Sequence, residues 1–134
     1  MHDRRDFLKT VATASVIAFT AAPLAFAAGS TEYTNIIYTT DNPGKWAGKE
    51  GSHAPQVTVS GTSVAVVTKH PMSDMHFIVR HTLVLEDGTY VGATTFTPTD
   101  KPESSYELPA GYKGKIQVTS FCNLHDFWLT EAMV

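Results

Sequence analysis

From Thr34 onward the chain alternates short β-branched and aromatic runs with turn residues, and no stripe of period 3.6 lasts long enough to build a helix. Seven runs read as strands: Thr34 to Thr39, Gln56 to Ser60, Thr62 to Thr68, His76 to Leu85, Thr89 to Thr97, Ser105 to Leu108 and Lys115 to Phe121. Between them fall turn clusters such as Asp41-Asn42-Pro43-Gly44, Ser60-Gly61, Pro71 to Asp74 and Pro98 to Pro102. Asp87-Gly88, set between two strong runs, is the clearest hairpin signal. About seven short strands in roughly 100 residues predict an all-β fold, an immunoglobulin-like antiparallel β-sandwich, with a small closed barrel as the alternative. Alternation along His76 to Leu85 puts His76 and His81 on opposite faces, so they share a site only if a bulge intervenes.

Composition narrows the function classes. A length of 134 residues suits one domain, and 43% apolar with 17% charged residues is a globular balance. The formal charge of −3 gives no basic face for phosphates, so no nucleic-acid partner is expected. One cysteine cannot make an intramolecular disulfide. No apolar run approaches the ~20 residues that span a bilayer.

The first residues read as an address rather than as fold. Arg4-Arg5 precedes Phe7-Leu8-Lys9, a moderately apolar stretch runs from Val11 to Ala22, and Ala25-Phe26-Ala27 offers a small-x-small cleavage site. Residues 1–27 are therefore expected to be a twin-arginine signal peptide, residues 28–134 the functional domain, and the periplasm its compartment. That route carries folded proteins, so a metal can be bound before export. A metal would also protect the lone thiol from oxidation.

Five histidines follow the leader: His53, His70, His76, His81 and His125. His53, His70 and His125 lie in turn or strand-edge contexts, and His76 opens a strand just after the His70 turn. Loops on a rigid sandwich are where binding residues gather. Cys122 and His125 are three apart, so a tight turn can aim both at one ion. An isolated histidine or a lone buried cysteine carries little by itself. Together they make a metal site.

Cys122-Asn123-Leu124-His125 followed by Trp128 resembles the Cys-Asn-x-His-x-x-Trp signature of the superoxide reductases, the iron domains of the neelaredoxin and desulfoferrodoxin family. His70-Pro71-Met72 with His76 resembles that family's His-Pro…His segment, at the same spacing. Gly48-Lys49-Glu50 before His53-Ala54-Pro55 resembles the start of its first motif, so the resemblance spans roughly Trp46 to Trp128. It implies an immunoglobulin-like sandwich holding one mononuclear iron, Fe2+/Fe3+, by His53, His70, His76 and His125 in a plane and Cys122 on the axis. The opposite position would be open to superoxide, reduced by one electron to hydrogen peroxide. An axial thiolate, which pushes electron density toward the metal, suits that reaction. His2 lies in the leader and His81 outside every motif. Some members of that family carry an extra four-cysteine iron centre, which one cysteine cannot build, so electrons are expected from a separate exported donor.

The family usually places Glu-Lys directly before its first histidine, where this chain has Gly51-Ser52. Lys49 and Glu50 are displaced by two residues and reversed. Lys49 or Lys69 is thus a candidate for the positive charge that draws the anion, and Glu50 for the group that caps oxidised iron. Two readings compete with a reductase. Cys122, His125 and Met133 follow the ligand order of a blue-copper carrier, and the sandwich alone would serve a non-catalytic binding module. Homo-oligomerisation is left open.

Overall fold

The structure, a computed structural model, describes residues 35–134; the expected leader and Thr34 lie outside the described residues. Among the described residues, eight strands form two sheets: β1 Ile37–Tyr38, β2 Gln56–Ser60, β3 Ser63–Val67, β4 Ile78–Leu85, β5 Tyr90–Thr95, β6 Glu103–Glu107, β7 Lys115–Cys122 and β8 Asp126–Met133. One sheet runs β1-β8-β7-β4-β5 and the other β2-β3-β6. The expected all-β sandwich is present.

Several details differ from the sequence reading. β8 is an eighth strand, absent from the expected set, and it pairs antiparallel with β7 along its whole length. The run at Thr34 to Thr39 shrinks to two residues, which pair parallel to β8 through Ile37↔Phe127 and Tyr38↔Trp128. A single helical turn, α1 Glu50–His53, sits where only a turn is expected, after a 3-10 turn at Gly44–Trp46.

Hairpin chemistry is otherwise as the residues dictate. Gly61 lies at φ +61° in the two-residue connection from β2 to β3, and Gly88 at φ +86° closes the β4–β5 connection. Both need the left-handed region that glycine enters freely.

Alternation packs one face of each sheet inward. Leu83, Leu85, Ile116 and Val118 of the larger sheet meet Val64, Val66 and Tyr106 of the smaller, with Leu108 beside them, in a buried apolar core. Further along the same inner face, His81 stands opposite Ser120, and Ile78 opposite Cys122. The ladder shifts register between Ile78 and Arg80, so this bulge lets both Ile78 and His81 face inward. His76 precedes the strand instead of opening it. The sandwich is therefore apolar at one end and carries its chemistry at the other.

Candidate metal centre

Four separate segments deliver the chemistry. His53 ends α1; its Nδ1–H donates to the Lys49 carbonyl at 3.1 Å and contacts Ser52 Oγ at 2.8 Å. A carbonyl can only accept, so the ring proton sits on Nδ1 and the Nε2 lone pair faces the interior. His70 follows the end of β3, and its amide donates to the Thr68 carbonyl at 2.8 Å. His76 closes a four-residue turn, its amide and carbonyl both bonded to Ser73. Cys122 ends β7, and His125 stands in the three-residue turn that leads to β8.

That last turn is possible because Asp126 takes φ +66°, a left-handed position which aspartate tolerates better than most residues. Asn123 ties the turn to the His76 loop. Its carbonyl oxygen accepts from the Phe77 amide at 3.0 Å, and its NH2 donates to the Met75 carbonyl at 3.1 Å. The Trp128 indole donates to the His125 carbonyl at 3.0 Å from below.

The side chains close into a ring. His53 Nε2 is 3.1 Å from His125 Nδ1, His125 Nδ1 is 3.1 Å from His76 Nε2, and His76 Nε2 is 3.0 Å from His70 Nε2. Ring centroids of neighbours around the circuit are 4.4 to 4.8 Å apart, whereas His53 and His76, across it, are 6.0 Å apart. The Cys122 sulfur lies 3.2 Å from the His76 nitrogen, 3.5 Å from that of His125 and 3.9 Å from that of His70. The donor atoms of His53, His70, His76 and Cys122 all fall within 4.8 Å of one another.

These spacings fit one ion. Metal–imidazole bonds of about 2.1 Å at the corners of a square put adjacent nitrogens about 3.0 Å apart. A sulfur about 2.3 Å away on the perpendicular would lie about 3.1 Å from each nitrogen; the observed 3.2, 3.5 and 3.9 Å set Cys122 beside the ring, displaced toward His76. Structural zinc, tetrahedral with four ligands, does not match four nitrogens in a ring with a sulfur beside them. Nitrogens and a sulfur gathered this closely form a donor set that could hold a metal ion.

The electrostatics agree. Burial and the neighbouring His70 push His53 down to about 4, and burial with His76 pushes His70 down to about 4. His125 is lowered by burial, His76 and Lys49. Neutral imidazoles are the form that binds metal. Burial pushes the Cys122 thiol up, while hydrogen bonds from the Leu124 and His125 amides and the charge of Lys49 hold it down. Those two amides are the donors that a Cys-x-x-His turn presents to sulfur.

All five sequence-predicted ligands meet at this point. His81 does not; it is buried in the sandwich. Of the charged candidates, Lys49 is near enough to act on both Cys122 and His125. Lys69 is exposed. Glu50 accepts from the Gly48 amide at 3.1 Å, and that bond, with one from its own amide, holds its carboxyl low. Met133 pairs with Lys115 at the opposite end of the β7–β8 ladder, so it cannot be an axial ligand with Cys122. The sequence reading missed the Trp46 wall. Its ring packs edge-on against His125 at 4.6 Å, its indole donates to Asp126 at 3.2 Å, and Lys45 pairs with the same carboxylate at 3.8 Å. Nothing local in Gly44–Trp46 announces a partner 80 positions away.

A family model described as Desulfoferrodoxin matches residues 46–131, most of the described domain and every one of the five converging residues. The chain belongs to the desulfoferrodoxin family. A curated desulfoferrodoxin from Syntrophotalea carbinolica is 32% identical over 88 residues, which are 63% of this chain and 65% of that protein. The chain thus spans a little under two thirds of the family relative it matches. Among solved structures, a superoxide reductase (neelaredoxin) from Ignicoccus hospitalis superposes with a TM-score of 0.65 at 23% identity, covering 78% of this chain and 98% of its own. At that identity the likeness is one of fold. A superoxide reductase from Treponema pallidum gives a TM-score of 0.52 at 29% identity over 63% of this chain and 69% of its own.

Proposed function

We propose that this member of the desulfoferrodoxin family is a superoxide reductase: His53, His70, His76, His125 and Cys122 hold one iron, and superoxide takes up one electron and two protons to leave as hydrogen peroxide. The ring of four imidazole nitrogens with a thiol sulfur beside it is the observation that carries this reading. The similar solved structure from Treponema pallidum, named as a superoxide reductase, supports it.

Iron bound there would supply the one-electron chemistry, cycling between Fe2+ and Fe3+. The chain's own residues do the rest. The Lys49 carbonyl and Ser52 hold the His53 ring in the tautomer that presents Nε2. The Leu124 and His125 amides stabilise negative charge on the Cys122 sulfur, which tunes how readily an electron is given up. Lys49 supplies the positive charge that attracts the anion, since its field acts on His125 and Cys122. Trp46 packs against the His125 ring and helps to fix its orientation.

Residues 1–27 serve as a twin-arginine leader for the domain at 28–134, which works in the periplasm with a separate exported electron donor. The leader's arginine pair and cleavage motif support that placement.

The decisive experiment loads the full chain with Fe2+ and supplies superoxide with an external reductant. The expected yield is one hydrogen peroxide per superoxide consumed, with one iron per chain. A yield of one per two superoxides would mean dismutation, and no consumption would overturn the activity.

A further inference from the structure

Between the apolar core and the five converging residues lies a buried polar layer that the proposed reaction does not use. His81, fully buried, contacts Ser104 Oγ through Nδ1 at 2.8 Å and Thr68 Oγ1 through Nε2 at 2.7 Å. Thr68 Oγ1 also meets Ser120 Oγ at 2.8 Å. Phe96 packs edge-on against the imidazole at 4.9 Å. Either tautomer of His81 satisfies the whole chain of bonds, because each hydroxyl can donate in one direction or the other.

Apolar residues in this layer would simply have extended the core. Burying polar groups is costly unless every one is partnered, and here every one is. The bonds also cross the sandwich. His81 and Ser120 belong to the larger sheet, Ser104 to the smaller, and Thr68 directly follows β3 of the smaller. Thr68 is two residues before His70, whose amide it holds through its carbonyl at 2.8 Å. Ser120 is two residues before Cys122 on the same face of β7. The Thr68–Ser120 bond therefore links the roots of the two side chains whose nitrogen and sulfur stand 3.9 Å apart.

We propose that the Thr68–Ser120 bond, braced by His81, sets the separation between His70 and Cys122, and so the length of the bond from sulfur to the metal. Thr68, Ser120 and His81 are positioning residues. This rests on the five-ligand reading above. Groups behind the direct ligands commonly change metal affinity by about 10–100-fold when removed.

The test uses the full chain, stripped and reloaded with Co2+, whose sulfur-to-metal absorption reports the metal–thiolate bond. Thr68→Val keeps the shape and removes the hydroxyl; Thr68→Ser keeps the hydroxyl. Thr68→Val is expected to shift the sulfur band and weaken Co2+ binding by about tenfold, while Thr68→Ser restores both to the wild-type values. A purely structural role would lower the melting temperature without moving the band. A folded Thr68→Val protein with unmoved band and affinity overturns the proposal. If Thr68→Val does not fold, Ser120→Ala breaks the same link alone, and an unmoved band there is equally fatal. If the wild type binds Co2+ with no sulfur band, the five-ligand reading fails first and the proposal falls with it.

Discussion

At the scale of single residues, the sulfur of Cys122 separates this centre from a ring of imidazoles that merely binds metal. Serine in its place offers a hydroxyl that is harder to ionise and a poorer electron donor. Cys122→Ser is expected to retain metal on the histidines and lose superoxide reduction, checked by metal content and by hydrogen peroxide yield. Charge makes a second prediction at this scale. Lys49 acts on Cys122 and His125, whereas Lys69 is exposed. Lys49→Ala should slow the reaction with superoxide by about tenfold at low salt and flatten its ionic-strength dependence. Lys69→Ala should change neither, and equal losses in both variants would refute the assignment. His81 makes a third. Its burial pushes the ring down to about 4, and the polar groups against it, Thr68 and Ser104, are uncharged. An unfolded chain titrates its histidine near 6.5, so between those values the unfolded state takes up a proton that the folded state refuses. The stability this contributes is complete above about pH 6.5 and is lost as pH falls toward about 4, roughly 3 kcal/mol in all. A ring resonance of His81 titrating near 6.5 in the folded protein would contradict it.

At the scale of elements, the β7–β8 hairpin does most to place the centre, since it carries Cys122 on a strand end and His125 in the turn. Asn123 fastens this turn to the loop of His76 with bonds in both directions. Asn123→Ala leaves the Phe77 amide and the Met75 carbonyl without these partners. It should cost about 1 kcal/mol of stability and weaken metal binding as well, measured by urea unfolding and by metal titration. Loss of stability with unaltered affinity would mean that the turn holds its shape without the staple. This hairpin also shows where the sequence is legible. β7 reads cleanly because Ile116, Val118, Ser120 and Cys122 alternate with less buried residues. β8 does not, because Trp128 and Leu129 are consecutive and both buried, while Phe127 and Met133 are exposed. Its pairing comes from β7 and from the short parallel β1, not from its own period. The candidate ligands came from a resemblance of short motifs, Cys-Asn-x-His and His-Pro…His, which are local enough for a single turn to express them. The His81 layer and the Trp46 wall depend on residues far apart in sequence. Spacing alone carries no trace of them.

At the scale of the whole molecule, the candidate centre is where segments far apart in the chain meet. Its donors come from α1, from the connection between β3 and β4, from the end of β7 and from the turn after it. An unfolded chain cannot assemble these donors, so a metal bound by them favours the folded state by mass action. At free metal a thousand times the dissociation constant the gain is about 4 kcal/mol, which for a domain of roughly 100 residues raises the melting temperature by about 20 °C. Chelation should therefore lower the transition by that order, and the gap should narrow as pH falls, because protons compete for the same imidazoles and thiol. The apolar end of the sandwich gives the control. Val118 is fully buried in the core, and Val118→Ala should destabilise metal-loaded and metal-free protein alike, leaving the gap between them intact. Scanning calorimetry on the four combinations separates the two ends. If metal removal left the transition where it was, the ion would have no preference for the folded chain, and the ring of histidines and Cys122 would not be its site.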